Sequence, residues 1–250
     1  MKNIIVSGAN QGIGYYMVKE LLDSGYNVTV LDLAVDNLTQ LSGNILPLVC
    51  DISDADRVKV SVKESIERFG SVDCAVHNAC MCTFGSLEST DDETYHKVFE
   101  VNYFGALNLT RAVLPYMQEK RNGKVIFTSS GVGVMGFVNI SPYASTKGAI
   151  EALAKCLNIE YADFGIHFYI FHPPLTNTKS ASPLPVPKEF MAEPKKVGEG
   201  LAKSIHKKSY IICHSFGQKL QTMVCYLFPI KMGRLMSKMT RRYMNQQQTK

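Results

Sequence analysis

Tyr143 and Lys147 stand four residues apart in Tyr-Ala-Ser-Thr-Lys, and Ser130 lies thirteen residues before the tyrosine. On a helix, positions i and i+4 share a face, so this spacing sets an ammonium beside a phenol. A free tyrosine, with a pKa of about 10, is a poor base at neutral pH. A neighbouring cation favours the phenolate, which predicts a lowered pKa and makes Tyr143 a candidate proton donor and acceptor. A serine hydroxyl converging on the same point would hold a substrate oxygen. Alone, the pair is also a common pattern of solvated helix faces, so its meaning depends on what positions it.

The positioning elements alternate. Short apolar runs at 3–7, 27–31, 45–49, 72–76, 124–129 and 167–171 predict strands. Helical periodicity covers 15–24, 56–69, 91–111 and 143–164, the last closed by Gly165. Repeated βα units with nearly all-apolar strands predict a doubly wound parallel sheet with helices on both faces, a Rossmann-type α/β fold. The 250 residues, 46% hydrophobic and 20% charged, suit one domain over 1–250. Within it, 174–194, rich in Pro, Ser and Thr, reads as a substrate loop or lid, and 217–250 as a basic tail.

Ser7-Gly-Ala-Asn-Gln-Gly-Ile-Gly14 follows the first strand and opens the first helix. Glycines at 8, 12 and 14 permit a tight turn and close backbone approach, so a pyrophosphate can meet the helix N-terminus. Gly8, Asn10, Gln11, Gly12, Ile13 and Gly14 are therefore candidate cofactor contacts. Asp32 ends the second strand, flanked by Leu31 and Leu33. Its carboxylate can accept hydrogen bonds from ribose hydroxyls and would repel a 2′-phosphate, which predicts NAD rather than NADP. The bland alternative is that Asp32 caps a turn.

With these motifs in order, residues 3–178 resemble the short-chain dehydrogenase/reductase family. Cys50-Asp51-Ile52 is similar to the pair that borders the adenine, and His77-Asn78-Ala79-Cys80 to the family's N-N-A-G. Val101-Asn102-Tyr103-Phe104-Gly105 resembles the segment carrying the family's asparagine, and Ser129-Ser130-Gly131 precedes the tyrosine at the family spacing. The resemblance implies Tyr143 as acid/base, Lys147 lowering its pKa and holding the nicotinamide ribose, and Ser130 orienting the substrate oxygen. It implies Asn102 helping to hold a relay water, with Asp51, Ile52, Asn78, Ala79, Pro173 and Thr178 among the cofactor contacts. Ser129 is the rival of Ser130. Two departures stand out: Cys80 replaces a glycine, and Pro174 stiffens the loop where many members carry P-G-x-x-x-T. The Pro-Pro-x-Thr-x-Thr form is similar to the branch containing 3-ketodihydrosphingosine reductases, which use NADPH, against the indication of Asp32. The expected substrate is an apolar alcohol or ketone, and the expected assembly a homodimer or homotetramer. The rival class is a non-catalytic, membrane-surface dinucleotide-binding regulator.

Seven cysteines, an odd number, point to reduced thiols and, with no signal-peptide pattern, a cytoplasmic setting. Neither Cys80-Met-Cys82 nor the spacing of His77, His172 and His214 supports a metal site. Met81, Phe84, Met135, Phe137 and Val138 are candidates to line an apolar pocket or to pack a core. From Lys195 onward there are 12 Lys/Arg and one acid, Glu199, against 15 bases and 21 acids before it. Met232, Leu235, Met236 and Met239 repeat on one stripe of the tail, and Arg234, Lys238 and Arg241 on another. That pattern suits peripheral contact with an anionic membrane or, slightly better, a docked helix that covers the substrate cleft or joins a neighbouring subunit. With few aromatics among the cations, no nucleic acid is expected.

Overall fold

The computed structural model of the protein describes residues 1–248. Seven strands form one sheet: β1 (Asn3–Ser7), β2 (Asn27–Asp32), β3 (Ile45–Val49), β4 (Cys74–His77), β5 (Gly123–Thr128), β6 (Ile166–Phe171) and β7 (Ile211–Ile212). Their order is β3-β2-β1-β4-β5-β6-β7, and every pairing is parallel. The helices are α1 (Gly12–Asp23), α2 (Ala55–Phe69), α3 (Asp92–Phe99), α4 (Gly105–Lys120), α5 (Val132–Met135), α6 (Ser141–Glu160), α7 (Pro194–Lys203), α8 (Phe216–Leu227) and α9 (Pro229–Gln248).

The two-residue alternation of each strand sorts its side chains between two cores. Ile4, Val6, Val28 and Val30 join Met17, Leu21, Val197 and Leu201 on the side of α1 and α7. Ile5, Ala75, Val125 and Phe127 join Val58, Leu109, Val113 and Ile150 on the side of α2, α4 and α6. Both strand faces are dry, which is why the runs read as continuously apolar. From β1 the chain winds outward to β3, then crosses back to β4 and winds the other way. Between the carboxyl ends of β1 and β4 the strand order reverses, opening the crevice where open α/β sheets bind ligands.

The helix expected over 91–111 is divided: α3 passes through a π-helical turn, Glu100–Phe104, into α4, which runs on past Pro115 to Lys120. The expected helix 143–164 begins earlier, with Pro142 in its first turn, and ends at Glu160 before a 3₁₀ turn, Ala162–Phe164. The elements α7 and β7 had no reading in the sequence; β7 has only two residues, too few for periodicity.

Candidate active site

Gly8 turns the chain out of β1 at φ 68°, and a Cβ there would overlap the backbone of Ala79. The phosphate-type loop and the end of β4 therefore touch, which only glycine permits. Asn78 Nδ2 locks the contact by donating to Gly8 O at 2.7 Å. Ser7 Oγ accepts the N–H groups of both Asn78 and Ala79 at 3.2 Å and lies 3.1 Å from His77 Nδ1. Burial, and then the charge of Lys147, lowers the His77 pKa to about 3, so the ring is neutral. With two N–H groups already given to its oxygen, Ser7 donates its hydroxyl hydrogen to Nδ1, which leaves the ring proton on Nε2. His77 Nε2 then donates to Asn102 O at 3.2 Å.

A cleft of about 370 Å³ opens at the switch point. At one end it is lined by Gly8, Gln11, Gly12 and Ile13, then by Asp32, Asp51 and Ile52. Asn78, Ala79, Ser130, Tyr143, Lys147 and Pro173 line it further along, and Thr178 packs against Gly12 of the glycine loop. Three expected contacts are not on the cleft. Asn10 is buried, its amide engaged with Asp36 and Asn37. Gly14 packs under Gly8 O and Ala9. Asn102 lies beneath the cleft, where its Oδ1 accepts from Met81 N at 2.7 Å and its Nδ2 donates to Met81 O and Thr146 Oγ1, both at 2.9 Å. The π-helical turn aims that amide inward.

Asp32 does cap the loop, accepting Asn10 N at 2.8 Å, yet it also lines the cleft beside Leu33. Each carboxylate oxygen keeps further acceptor capacity. The residues present fit a nicotinamide dinucleotide. Lys147 is 1% exposed, and its Nζ donates to Thr128 O at 2.7 Å, one bond for three donors. Thr128 Oγ1, on the same cleft, is buried without a partner. A ligand bearing hydroxyls would satisfy both groups.

Tyr143 and Lys147 share one face of α6, with Nζ 5.5 Å from the phenol ring centre. The expected lowering of the Tyr143 pKa does not appear in this state. Burial, followed by Cys80 and Cys82, pushes the phenol well above its ordinary value, against the hydrogen bond of Ser130, which pulls it down. Burial also holds Lys147 below its ordinary value. Tyr143 thus stands as a neutral, proton-bearing phenol. The two serines separate: Ser130 faces Tyr143 on the cleft, whereas Ser129 Oγ donates to Glu151 Oε1 at 2.8 Å.

Glu151 was missed by sequence reasoning, although it stands at i+8 from Tyr143 and i+4 from Lys147 on the same face of α6. It is 5% exposed and gathers His172 Nε2 at 3.0 Å, Ser129, and the hydroxyl of Tyr226 from α8. Burial raises its pKa, but the hydrogen bonds of His172, Tyr226 and Ser129 outweigh it, and the net shift is downward. The tail residues Gln218, Gln221, Thr222 and Cys225 of α8, with Met236 of α9, also line the cleft. Of the tail's two readings, the docked helix is thus present. Of the apolar candidates, Met135 and Phe137 reach the cleft, together with Leu184 and Val186 from the 174–194 loop. Among the described residues no cluster of His, Cys, Asp and Glu could hold a metal ion.

Residues 2–187 match a family profile described as short chain dehydrogenase. L-fucose dehydrogenase of Bos taurus is 34% identical over 179 residues, 69% of this chain and 65% of that protein. 3-Ketodihydrosphingosine reductase of Bos taurus is 27% identical over 251 residues, 91% of this chain and 76% of that protein. The match therefore spans just under two thirds of the first relative. Among solved structures, an alcohol dehydrogenase from the archaeon Thermococcus sibiricus, complexed with 5-hydroxy-NADP, superposes with a TM-score of 0.77 at 27% identity. The superposition covers 85% of this chain and 95% of that one.

Proposed function

The chain belongs to the short-chain dehydrogenase family, and on that premise we propose that it is an NAD-dependent oxidoreductase interconverting a secondary alcohol and a ketone on an apolar substrate. The observation that carries this reading is the meeting of Ser130, Tyr143 and Lys147 on the wall of a cleft that begins at the glycine loop and Asp32. Gly8, Gln11, Gly12 and Ile13 would hold the pyrophosphate at the start of α1, Asp32 the adenosine ribose, and Asp51 with Ile52 the adenine. Asn78, Ala79, Lys147, Pro173 and Thr178 would hold the nicotinamide half. When bound, the nicotinamide supplies or accepts the hydride.

The chain's own residues handle the proton. In ketone reduction Tyr143 gives its phenolic proton to the substrate oxygen; in alcohol oxidation it takes that proton back. Ser130 donates a hydrogen bond to the same oxygen as charge develops on it. Lys147 orients the ribose and favours the phenolate in the oxidative direction. Asn102 acts as a positioning residue, tying the Met81 backbone to Thr146 of α6. The apolar side chains of Met135, Phe137, Leu184 and Val186 support an apolar substrate. Asp32 supports NAD, since its carboxylate sits on the cleft next to apolar Leu33 and would repel a 2′-phosphate. Around this chemistry we place a homodimer or homotetramer built on α4 and α6, supported by exposed Ile159 and Phe104 at the edges of those helices. The setting is cytoplasmic.

The test is initial-rate turnover with NAD and with NADP over a panel of apolar secondary alcohols, read by NADH absorbance. Tyr143→Phe is expected to lose about 10²- to 10⁴-fold in rate, and Asp32→Ala to lose its preference for NAD. Full activity in Tyr143→Phe would remove the tyrosine from the mechanism, and a wild-type preference for NADP would overturn the cofactor assignment.

A further inference from the structure

Four side chains on α8, Phe216, Leu220, Met223 and Leu227, recur at i, i+4, i+7 and i+11, a single helical stripe, and all are at least half exposed. Phe228 and Ile230 in the turn, and Leu235 and Met239 on α9, are at least half exposed as well. Eight of the 17 large apolar side chains exposed among the described residues thus fall between residues 216 and 239. The rest are scattered singly over the body, as is normal for a soluble surface. Lys219, Lys231, Arg234, Lys238, Arg241 and Arg242 accompany the stripe, and residues 216–248 contain no acid. Among the described residues, none of these six cations has a carboxylate partner.

The opposite side of α8 is polar and anchored. Gln218, Thr222 and Cys225 line the cleft, and Tyr226 holds Glu151. α9 is fastened as well: Ser237 Oγ accepts Val138 N at 3.0 Å, and Gly233 packs against the backbone of Met135 and Gly136. The apolar stripe is therefore presented outward by a helix that the fold holds in place, and it is not the core face of a helix awaiting a partner domain.

We propose that this outer face of α8 and α9 docks on an anionic lipid surface, so that α8 lies between the membrane and the substrate cleft. The proposal rests on the oxidoreductase reading only in assigning the cleft to the substrate. Apolar side chains beside unpaired cations match the acyl boundary and headgroups of such a surface. The contact is peripheral, because no helix among the described residues is long and apolar enough to cross a membrane. Two tails meeting face to face would bring six cations against six. A polyanionic nucleic acid would use the cations and leave the apolar stripe in water.

Co-sedimentation of the full chain with phosphatidylglycerol–phosphatidylcholine vesicles, and with phosphatidylcholine alone, at low and high salt, tests this. No turnover is needed, so docking can fail while the oxidoreductase reading stands, and the reverse. The expected result is binding to anionic vesicles that weakens at high salt and is far weaker on neutral ones. Removing four cations (K231Q, R234Q, K238Q, R241Q) should cost about fivefold per charge. L220S with L227S should cost about tenfold or more. Circular dichroism checks that the variants fold; if they do not, the wild-type lipid and salt series decides. Absence of binding at low salt, equal binding to both vesicles, or a quadruple variant that binds like wild type would overturn the proposal. So would light scattering that shows a dimer lost in L220S/L227S, or DNA binding without vesicle binding.

Discussion

Tyr226→Phe removes one oxygen atom from the clamp that joins the C-terminal tail to the helix of Tyr143. In the wild type, Glu151 Oε2 accepts from Tyr226, while Oε1 accepts from Ser129 at 2.8 Å and from His172 at 3.0 Å. The deletion leaves a buried carboxylate oxygen without its donor. Hydrogen bonds to charged groups contribute about 1.5–3 kcal/mol, and half-buried Tyr226 belongs at the lower end, about 1.5–2 kcal/mol. For a chain of this size, that corresponds to a fall in Tm of about 3–8 °C. The assay is thermal unfolding by circular dichroism across pH. Glu151 is held below its ordinary pKa in the fold, so its stabilisation is fully present above the unfolded value, about 4.3, and is lost as pH falls through the folded value. The difference between wild type and Tyr226→Phe should therefore be full at neutral pH and shrink in acid. Equal Tm values at neutral pH, or a gap that widens as pH falls, would refute the clamp. His172 adds a ring contact to Tyr226, centroids 5.9 Å apart, which the phenylalanine retains, so the substitution isolates the hydroxyl.

Two further outcomes test the division of labour at the site. Ser130→Ala should lower kcat by about 10²-fold with little change in Tm. Ser129→Ala should lose about 1.5–3 kcal/mol of stability and keep its chemistry; the reverse pattern in kinetics and melting would exchange the two roles. Because burial keeps Tyr143 protonated, alcohol oxidation should rise with pH into the alkaline range while ketone reduction is already supported at neutrality. An oxidation rate flat from about pH 6 to about pH 10 would show that Tyr143 is not the base.

Much of this arrangement was legible in the order of residues. Strand patterning predicted the parallel sheet because both faces of each strand are dry, and the glycines of 8–14 predicted a sharp turn because Gly8 must approach Ala79. Tyr143 and Lys147 share a helix face because their spacing is local, and local geometry survives any tertiary context. Their electrostatics did not follow from spacing. The pair predicted a lowered phenol pKa, but burial, followed by the charge interactions of Cys80 and Cys82, pushes it the other way. Spacing to Tyr143 favoured Ser130 over Ser129 in the chain; what Ser129 does instead depends on the turn after β5, which sends it toward Glu151.

By itself, then, the sequence determined the βα order, the family and the identity of most residues that meet at the cleft. Tertiary structure decided which of those residues reach the cleft and which, like Asn10 and Asn102, brace it from below. It also decided the fate of the tail. The periodicity of the α9 segment permitted a docked helix or a lipid-facing one. The Tyr226–Glu151 contact joins positions 75 residues apart and fixes which side of α8 faces the cleft, and so which stripe is left facing outward. Amphipathic spacing is a property of one helix, but the direction it faces belongs to the contacts it makes with distant parts of the chain.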